Sequence, residues 1–469
     1  MHNNSHFQPF WFSEALKKES DNTVTSLKHD IQTDVCIVGG GYTGLWTAIE
    51  LKKQQPNLDI VIIDKGLCGS GASGRNGGCM LTWSTKYSSM KKLYGEEEAV
   101  KLVQASERAV YEIADFCKEN NIDADLRLNG TLYTATNKAQ QGAMKGVLEQ
   151  LSKHEVNSWQ EWQNDKVQQE AGSKLHCEGF YSPAAASVQP ALLARGLKRV
   201  AENMGIKIYE NTPMENISTE IPISITTPEG DIFTKKVVLA LNAWMLEQFP
   251  QFKRNVVLVS SDMAITQPIP EKLNDMGLKD GKTVIDSRIF VHYYRSTSEG
   301  RLMLGKGGNY FSYGNKISKV FDSPSRYSKL LRRSFNKLFP NLEEEKFAAT
   351  WTGASDRSTT GLPFFGQLDG NKDIVYGLGY SGNGVAQTWI GGQILSSLVL
   401  EQQNEWSQSG LASGPKGSFP PEPIRWCGAM MVRNAIRRKE CAEDNGKSPL
   451  WLDKQLAKFA NAAGKADKA

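Results

Sequence analysis

The sequence predicts an α/β (α+β) fold organised around a dinucleotide-binding unit, and three observations carry that expectation. A short run rich in β-branched residues, Asp34-Val35-Cys36-Ile37-Val38, has the length and composition of a buried parallel strand. It runs directly into Gly39-Gly40-Gly41-Tyr42-Thr43-Gly44 and then a helix-like stretch, LWTAIELKKQQ. A second apolar run, Asp59-Ile60-Val61-Ile62-Ile63-Asp64, closes a βαβ unit of about 30 residues.

The remaining elements follow in order. Residues 1–30 read as a polar lead-in whose Phe10, Trp11 and Phe12 can pin it to the surface. Residues 95–120 have helical periodicity with acids in the first turn, as the helix dipole favours. GTLYTAT (130–136) reads as a strand, and Gln189 to Met204 as a helix with Pro190 in its first turn. Short strands fill 206–240, with a turn at Pro228-Glu229-Gly230-Asp231 and a buried run, VVLALN. A second β-rich region, about 255–306, contains the hairpin VHYYRSTSEGRLMLGKGG. DIVYGLG (373–379) is a strand leading through SGNG into the helix VAQTWIGGQILSSLVL. From about 415 the tail PEPIRWCGAMMVRNAIRRKE reads as an amphipathic helix, packing on the body or docking at a membrane surface or partner.

Composition bounds the function. The 469 residues would form about three domains at ~150 each, with apolar residues (40%) enough for a large core. The excess of basic over acidic residues is only +4, and residues 433–469 alone hold nine Lys or Arg against five Asp or Glu. A nucleic-acid partner is therefore not expected, because phosphate neutralisation needs a basic face. The seven cysteines are scattered without CxxC, and the six histidines without HExxH. Reduced thiols, a cytoplasmic location and no bound metal are the expectation. No apolar stretch approaches the ~20 residues of a membrane span, and no signal peptide is evident.

The glycines carry the chemistry. Gly39 permits the tight turn, Gly41 lets the backbone approach a pyrophosphate, and Gly44 lets helix and strand pack closely. The helix N-terminus, with Tyr42 and Thr43, supplies amide donors. Asp64, with Lys65 after it, ends the second strand where a carboxylate can accept from ribose hydroxyls. A second cluster spans Gly69 to Gly78 and a third spans Gly377 to Gly384. Small residues in the second admit a bulky planar cofactor, and the third could stabilise negative charge at a helix N-terminus. Each cluster alone also fits an ordinary loop; together with Asp64 they argue for FAD over NAD.

GGGYTGLWTAIEL, GASGRNGG, VVLALNAW, GLPFFG and GYSGNG, in this order, resemble the D-amino-acid-oxidase-like (DAO) family of FAD-dependent oxidoreductases over about residues 30–402. GASGRNGG is similar to the branch containing gamma-glutamylputrescine oxidases. YSPAAASVQPALLARGL, SSDMAITQP, WTGASDRSTTGLPFFG and the tail resemble the group called aminophosphonate oxidoreductases. The resemblance implies a Rossmann-like FAD-binding domain interleaved with a substrate domain on a mostly antiparallel sheet. The segments would be 31–90, 185–250 and 345–402 for FAD and 91–184 and 251–344 for substrate, with 1–30 an extension and 403–469 a tail. It also implies a flavin ring near Ala72, Ser73, Asn76, Gly77, Gly78 and Met80, facing Gly382, Asn383, Gly384 and Val385, with Met214 near the adenine. Relatives that hold FAD covalently use a His or Cys that these segments lack, so non-covalent FAD is expected.

Such an enzyme transfers hydride from the amine carbon to the flavin, and oxygen accepts the electrons to give hydrogen peroxide. An amine substrate and molecular oxygen are thus the expected partners. Alternation on Val291-His292-Tyr293-Tyr294-Arg295 separates His292 and Tyr294 from Tyr293 and Arg295, and the expectation places His292 and Tyr294 on the cavity. The same residues also fit a Tyr-rich core strand with a satisfied histidine. A phosphonate would call for a guanidinium. Arg75 is the first candidate, then Arg357, Lys306 and Arg295, with Tyr380 and Trp351 as possible lining. A polyamine or small amino acid, and an acceptor other than oxygen, remain open alternatives.

Overall fold

The computed structural model describes residues 7–19 and 23–460. Its first sheet grows from the βαβ unit. Strand Ile31–Val38 lies between Ile60–Ile63 and Gly230–Leu239, parallel to both. Lys207–Tyr209 and Asn371–Leu378 extend the parallel set on either side, and Phe364–Leu368 closes one edge antiparallel. A strand central in such a sheet is covered on both faces, which is why its inner half, Val35–Val38, is continuously apolar rather than alternating. Helices Tyr42–Gln54 and Gln387–Val399 pack together on one face. Their contact depends on Gly392, where a Cβ would stand 2.7 Å from Trp46 Cβ.

The second sheet runs Phe347–Ser358, Val256–Thr266, Leu302–Phe311, His292–Ser296, Thr283–Asp286, Thr131–Ala135, Glu178–Ser182 and Gln160–Trp162. Every adjacent pair is antiparallel except Thr283–Asp286 with Thr131–Ala135. The hairpin expected from the sequence pairs His292 with Lys306 and Ser296 with Leu302. Mixed helix and sheet, with one Rossmann-like and one mostly antiparallel layer, is the observed fold.

Two boundaries differ from the expectation. Strand Phe347–Ser358 pairs along the whole of Val256–Thr266, so the substrate sheet extends past 345. Helix Glu96–Glu119, assigned above to the substrate segments, packs on the cofactor-domain helices, with the Phe116 and Trp46 rings 4.9 Å apart. Sequence order placed it with its neighbours, whereas its apolar face follows the larger apolar surface.

The first and last long helices described both pack on the body. Helix Phe10–Lys18 buries Trp11, Phe12 and Ala15 rather than resting on the surface. Helix Ile424–Asp444 docks through the buried Glu440, which accepts from the Ile289 and Phe290 amides at 3.0 and 3.3 Å. Among the described residues no helix is long and apolar enough to cross a membrane.

Two buried histidines give the fold an acid limit. His176 lies 2.9 Å from both Thr134 Oγ1 and Tyr294 Oη, and burial holds its pKa down to about 4. His292 is also held to about 4, by burial and then by the Lys306 ammonium 2.9 Å away. Between the ordinary histidine value of 6.5 and about 4, the unfolded chain takes up protons that the folded rings refuse. Stability therefore falls with pH in that window, by up to about 1.4 kcal/mol per pH unit per ring. Urea unfolding of the wild type should weaken more steeply from pH 6.5 to 4.5 than that of His176→Gln; equal slopes would contradict this assignment.

Candidate functional site

A cavity of about 1520 Å³ runs between the two sheets, from the first βαβ turn to the substrate sheet. That exceeds the roughly 300–1,000 Å³ of sites for drug-sized ligands and suits an extended dinucleotide with a substrate beside it. At one end, Gly39 has φ +115°, and an added Cβ would lie 2.5 Å from Ala240 O. A Cβ on Gly44 would lie 2.0 Å from Gly39 O, so this glycine sets the approach of helix to strand. The helix begins at Tyr42 with no side-chain cap, and the Tyr42 amide donates to Ser73 Oγ at 2.9 Å. Asp64 lines the same end, its two carboxylate oxygens accepting from the Gly40 and Gly66 amides, both at 2.8 Å. Burial nevertheless raises its pKa, those amide bonds opposing the shift. Met214 lines the same end, its carbonyl accepting from Gln248 at 2.7 Å.

The second glycine cluster is a loop stapled from within and behind. Asn76 donates to the Ala72 and Ser73 carbonyls at 3.2 and 2.9 Å and accepts from the Gly78 amide at 2.8 Å. Arg295, fully buried, donates to the Gly77 and Val188 carbonyls at 2.8 and 2.6 Å. Trp351 Nε1 donates to the Arg75 carbonyl at 2.8 Å. Arg75 itself donates to the Ser70 and Phe321 carbonyls, both at 2.8 Å, and pairs with Asp322 at 2.7 Å. The first-ranked anion candidate is therefore occupied in closing the loop.

On the substrate sheet the alternation is right and its phase is reversed. Tyr293 lines the cavity, while His292 and Tyr294 point to the opposite face. His292 is 2.7 Å from Asp286, and Tyr294 donates to the Ala171 carbonyl at 2.6 Å among buried apolar residues. Both faces of this strand are covered, so polarity gives no phase. Tyr293 lies across Gly305, where a Cβ would meet its ring at 2.0 Å, and its hydroxyl is 2.9 Å from Ser261 Oγ. Burial raises its pKa, so the phenol is neutral. Tyr133, Trp159, Ile285 and Val291 continue this wall. Lys306 lies behind the sheet with His292 and the Phe290 carbonyl, and Arg295 is used by the loop, so neither faces the cavity.

The third glycine cluster meets the end of strand Phe347–Ser358. Asp356 accepts from the Gly379 amide, and burial lifts its pKa to about 6. Tyr380 lines the cavity and accepts from Thr43 Oγ1 at 2.8 Å, tying the first and third clusters together. Arg357 also lines the cavity; burial lowers its pKa to about 10. Among the described residues its guanidinium donates to the Ser381 carbonyl at 2.9 Å; Asp356 opposes the shift through its charge, and no carboxylate lies within ion-pair distance. Beside it, Ser355 Oγ and Asn383 Oδ1 are buried without a partner among the described residues.

Of the cofactor-site candidates, all line the cavity except Gly44, Gly78 and Met80. Gly44 acts in packing, a Cβ on Gly78 would meet Val188 O at 1.9 Å, and Met80 pairs with Ala186 in a short strand. Sequence reasoning missed Ser261, Tyr133, Trp159 and the lead-in residues Phe7, Gln8 and Pro9, which also line it. Trp159 and the lead-in carry no local signal. The turn at Gly39–Gly44, the cavity-lining Asp64, the stapled glycine loop and the orphaned polar atoms together fit FAD.

Comparison agrees with that geometry. Residues 34–398 match the family described as FAD dependent oxidoreductase, DAO. Gamma-glutamylputrescine oxidoreductase of Escherichia coli (strain K12) is 28% identical over 396 residues, covering 84% of this chain and 89% of that protein. A probable oxidoreductase, OrdL, of Haemophilus influenzae is 23% identical, covering 84% and 88%. The fold is also that of glycine oxidase from Geobacillus kaustophilus, with a TM-score of 0.65 and 19% identity over 81% of this chain and 98% of that one. Substituting Gly44→Ala should separate helix from strand, and the purified protein should carry less than about a tenth of the wild-type flavin per chain. Full flavin content would contradict the packing argument.

Proposed function

Because the chain belongs to the DAO family of FAD-dependent oxidoreductases, we propose that it oxidises a small amine bearing an anionic group, specifically an aminophosphonate such as 2-aminoethylphosphonate or its N-methyl derivative. With oxygen taking the two electrons and water hydrolysing the released imine, the products would be phosphonoacetaldehyde, ammonia or methylamine, and hydrogen peroxide. The observation that carries this reading is Arg357, a guanidinium on the cavity wall without a carboxylate partner among the described residues. A buried cation in that state gains most from an anionic ligand, and a guanidinium presents paired donors to phosphonate oxygens.

Bound FAD supplies the hydride-accepting centre. The protein's part is placement and charge. Withdrawal from water in the cavity would disfavour an ammonium ion and so favour the neutral amine that can react. Arg357 would fix the far end of the substrate, with the Ser355 hydroxyl as a further donor beside it. Tyr293 and Ser261, held to each other, offer neutral hydroxyls rather than charge.

The Escherichia coli relative supports a second reading, a longer amine ending in a carboxylate, of the gamma-glutamylputrescine type. A peroxide-coupled panel of amines with a phosphonate, a carboxylate or no anion separates the two. Without anaerobic flavin bleaching or peroxide from the phosphonates, the aminophosphonate assignment is wrong; bleaching without peroxide would indicate an acceptor other than oxygen. Arg357→Met should raise KM for the anionic substrate roughly 30- to 150-fold, equivalent to about 2–3 kcal/mol for a charge-assisted pair. KM for an amine without the anion should change little.

A further inference from the structure

We propose that the N-terminal helix, Phe10–Lys18, is a working part of the cofactor site: Trp11 and Phe12 hold the second glycine loop in the shape that retains FAD. The family match begins only at residue 34, so nothing in it assigns a role to this segment.

Three contacts converge on one loop. Phe12 packs behind it: a Cβ on Gly74 would stand 3.0 Å from Phe12 Cδ2, and one on Gly69 would stand 3.7 Å from Phe12 Cε2. Trp11 meets Trp351 edge to face with centroids 5.7 Å apart, and Trp351 Nε1 holds the Arg75 carbonyl. The Trp11 ring also lies 5.1 Å from the Arg295 guanidinium, which holds the Gly77 carbonyl. Arg295 is wholly buried, and burial lowers its pKa. A buried guanidinium needs either a counter-charge or a π face, and among the described residues Trp11 supplies the latter.

The helix is in turn fastened to the cofactor domain. Gln189 Nε2 donates to the Trp11 carbonyl and to Glu14, both at 2.9 Å. Arg195 joins Glu19 to Glu210, and Glu210 accepts from the Cys68 amide at 2.7 Å at the start of the same loop. Phe7, Gln8, Pro9 and Phe12 themselves line the cavity. Loop shape is thus set from outside the βαβ unit. Trp11 and Phe12 are positioning residues: they act on the cofactor through Trp351, Arg295 and the loop backbone.

The test is FAD titration of the apoprotein, followed by flavin fluorescence, for the wild type, Trp11→Leu and Trp11→Phe. The flavin absorption band shape and the apoprotein's unfolding midpoint are recorded alongside. Trp11→Leu should weaken FAD binding at least tenfold and shift the band, with Trp11→Phe recovering part of the affinity because it restores a π face. The apoprotein midpoints of the three should stay close. Should Trp11→Leu not fold, a threefold or greater loss in Trp11→Phe with an unchanged apoprotein midpoint supports the same conclusion. FAD affinity within twofold of wild type in a folded variant overturns the proposal. So does a loss matched by an equal fall in apoprotein stability.

Discussion

A dinucleotide's phosphates are best held by backbone amides, and amides reach a ligand only where side chains stay out of the way. That constraint organises the structure. It requires Gly39 at positive φ, Gly44 against the preceding turn, and a helix entered through Gly41, which has no side chain to cap it, although Ser73 Oγ takes the Tyr42 amide. A parallel strand must deliver the chain to that turn, so the first sheet is parallel and its central strand buried on both faces. The second glycine loop obeys the same requirement at the flavin end, but glycine also makes it soft. A flexible loop must be fixed by others, which is the work of Asn76 within it and of Arg75, Arg295 and Trp351 around it.

Buried charge then sorts the arginines. A guanidinium withdrawn from water must find acceptors for its donors, and the two beside the glycine loop find backbone carbonyls. Arg295 takes those of Gly77 and Val188, and Arg75 takes those of Ser70 and Phe321 and adds Asp322. Both are thereby withdrawn from ligand chemistry although they stand next to the cofactor loop. Arg357 has the opposite standing, with one carbonyl and an open side toward the cavity. Sequence position alone ranked Arg75 first because it adjoins the glycine cluster. Satisfied donors, not proximity, decide which cation is available.

The legible parts of the sequence were those dictated by local physics. The strand–turn–helix at Gly39–Gly44, the helix opening at Pro190 and the hairpin within 291–308 rest largely on local patterns, and the structure forms these elements there. Gln189 even caps that helix, accepting from the Leu192 amide at 2.9 Å. What escaped rests on partners far along the chain. Trp11 acts on residues 351 and 295, Trp159 donates to Ser84 Oγ, and helix Glu96–Glu119 settles on helix Gln387–Val399 and touches Trp46 through Phe116 rather than following its sequence neighbours onto the second sheet.

The reversed phase of the His292–Ser296 strand shows where such information can hide. Tyr293 and Tyr294 are both covered, so neither hydropathy nor aromatic content separates their faces. The partner strand does. Tyr293 pairs with Gly305, and two residues on Gly307 pairs with Ser261, which in turn pairs with Gly353. Directly paired residues in an antiparallel sheet share a face. That face is therefore the one from which Cβ atoms have been removed at 305, 307 and 353. Core packing has no reason to hollow one face of a sheet three times over. Space for a planar ring against the sheet does, and Tyr293 lying across Gly305 uses part of it. Glycines spaced by two within apolar strands thus mark the cavity side more reliably than the histidine and tyrosines that first draw the eye.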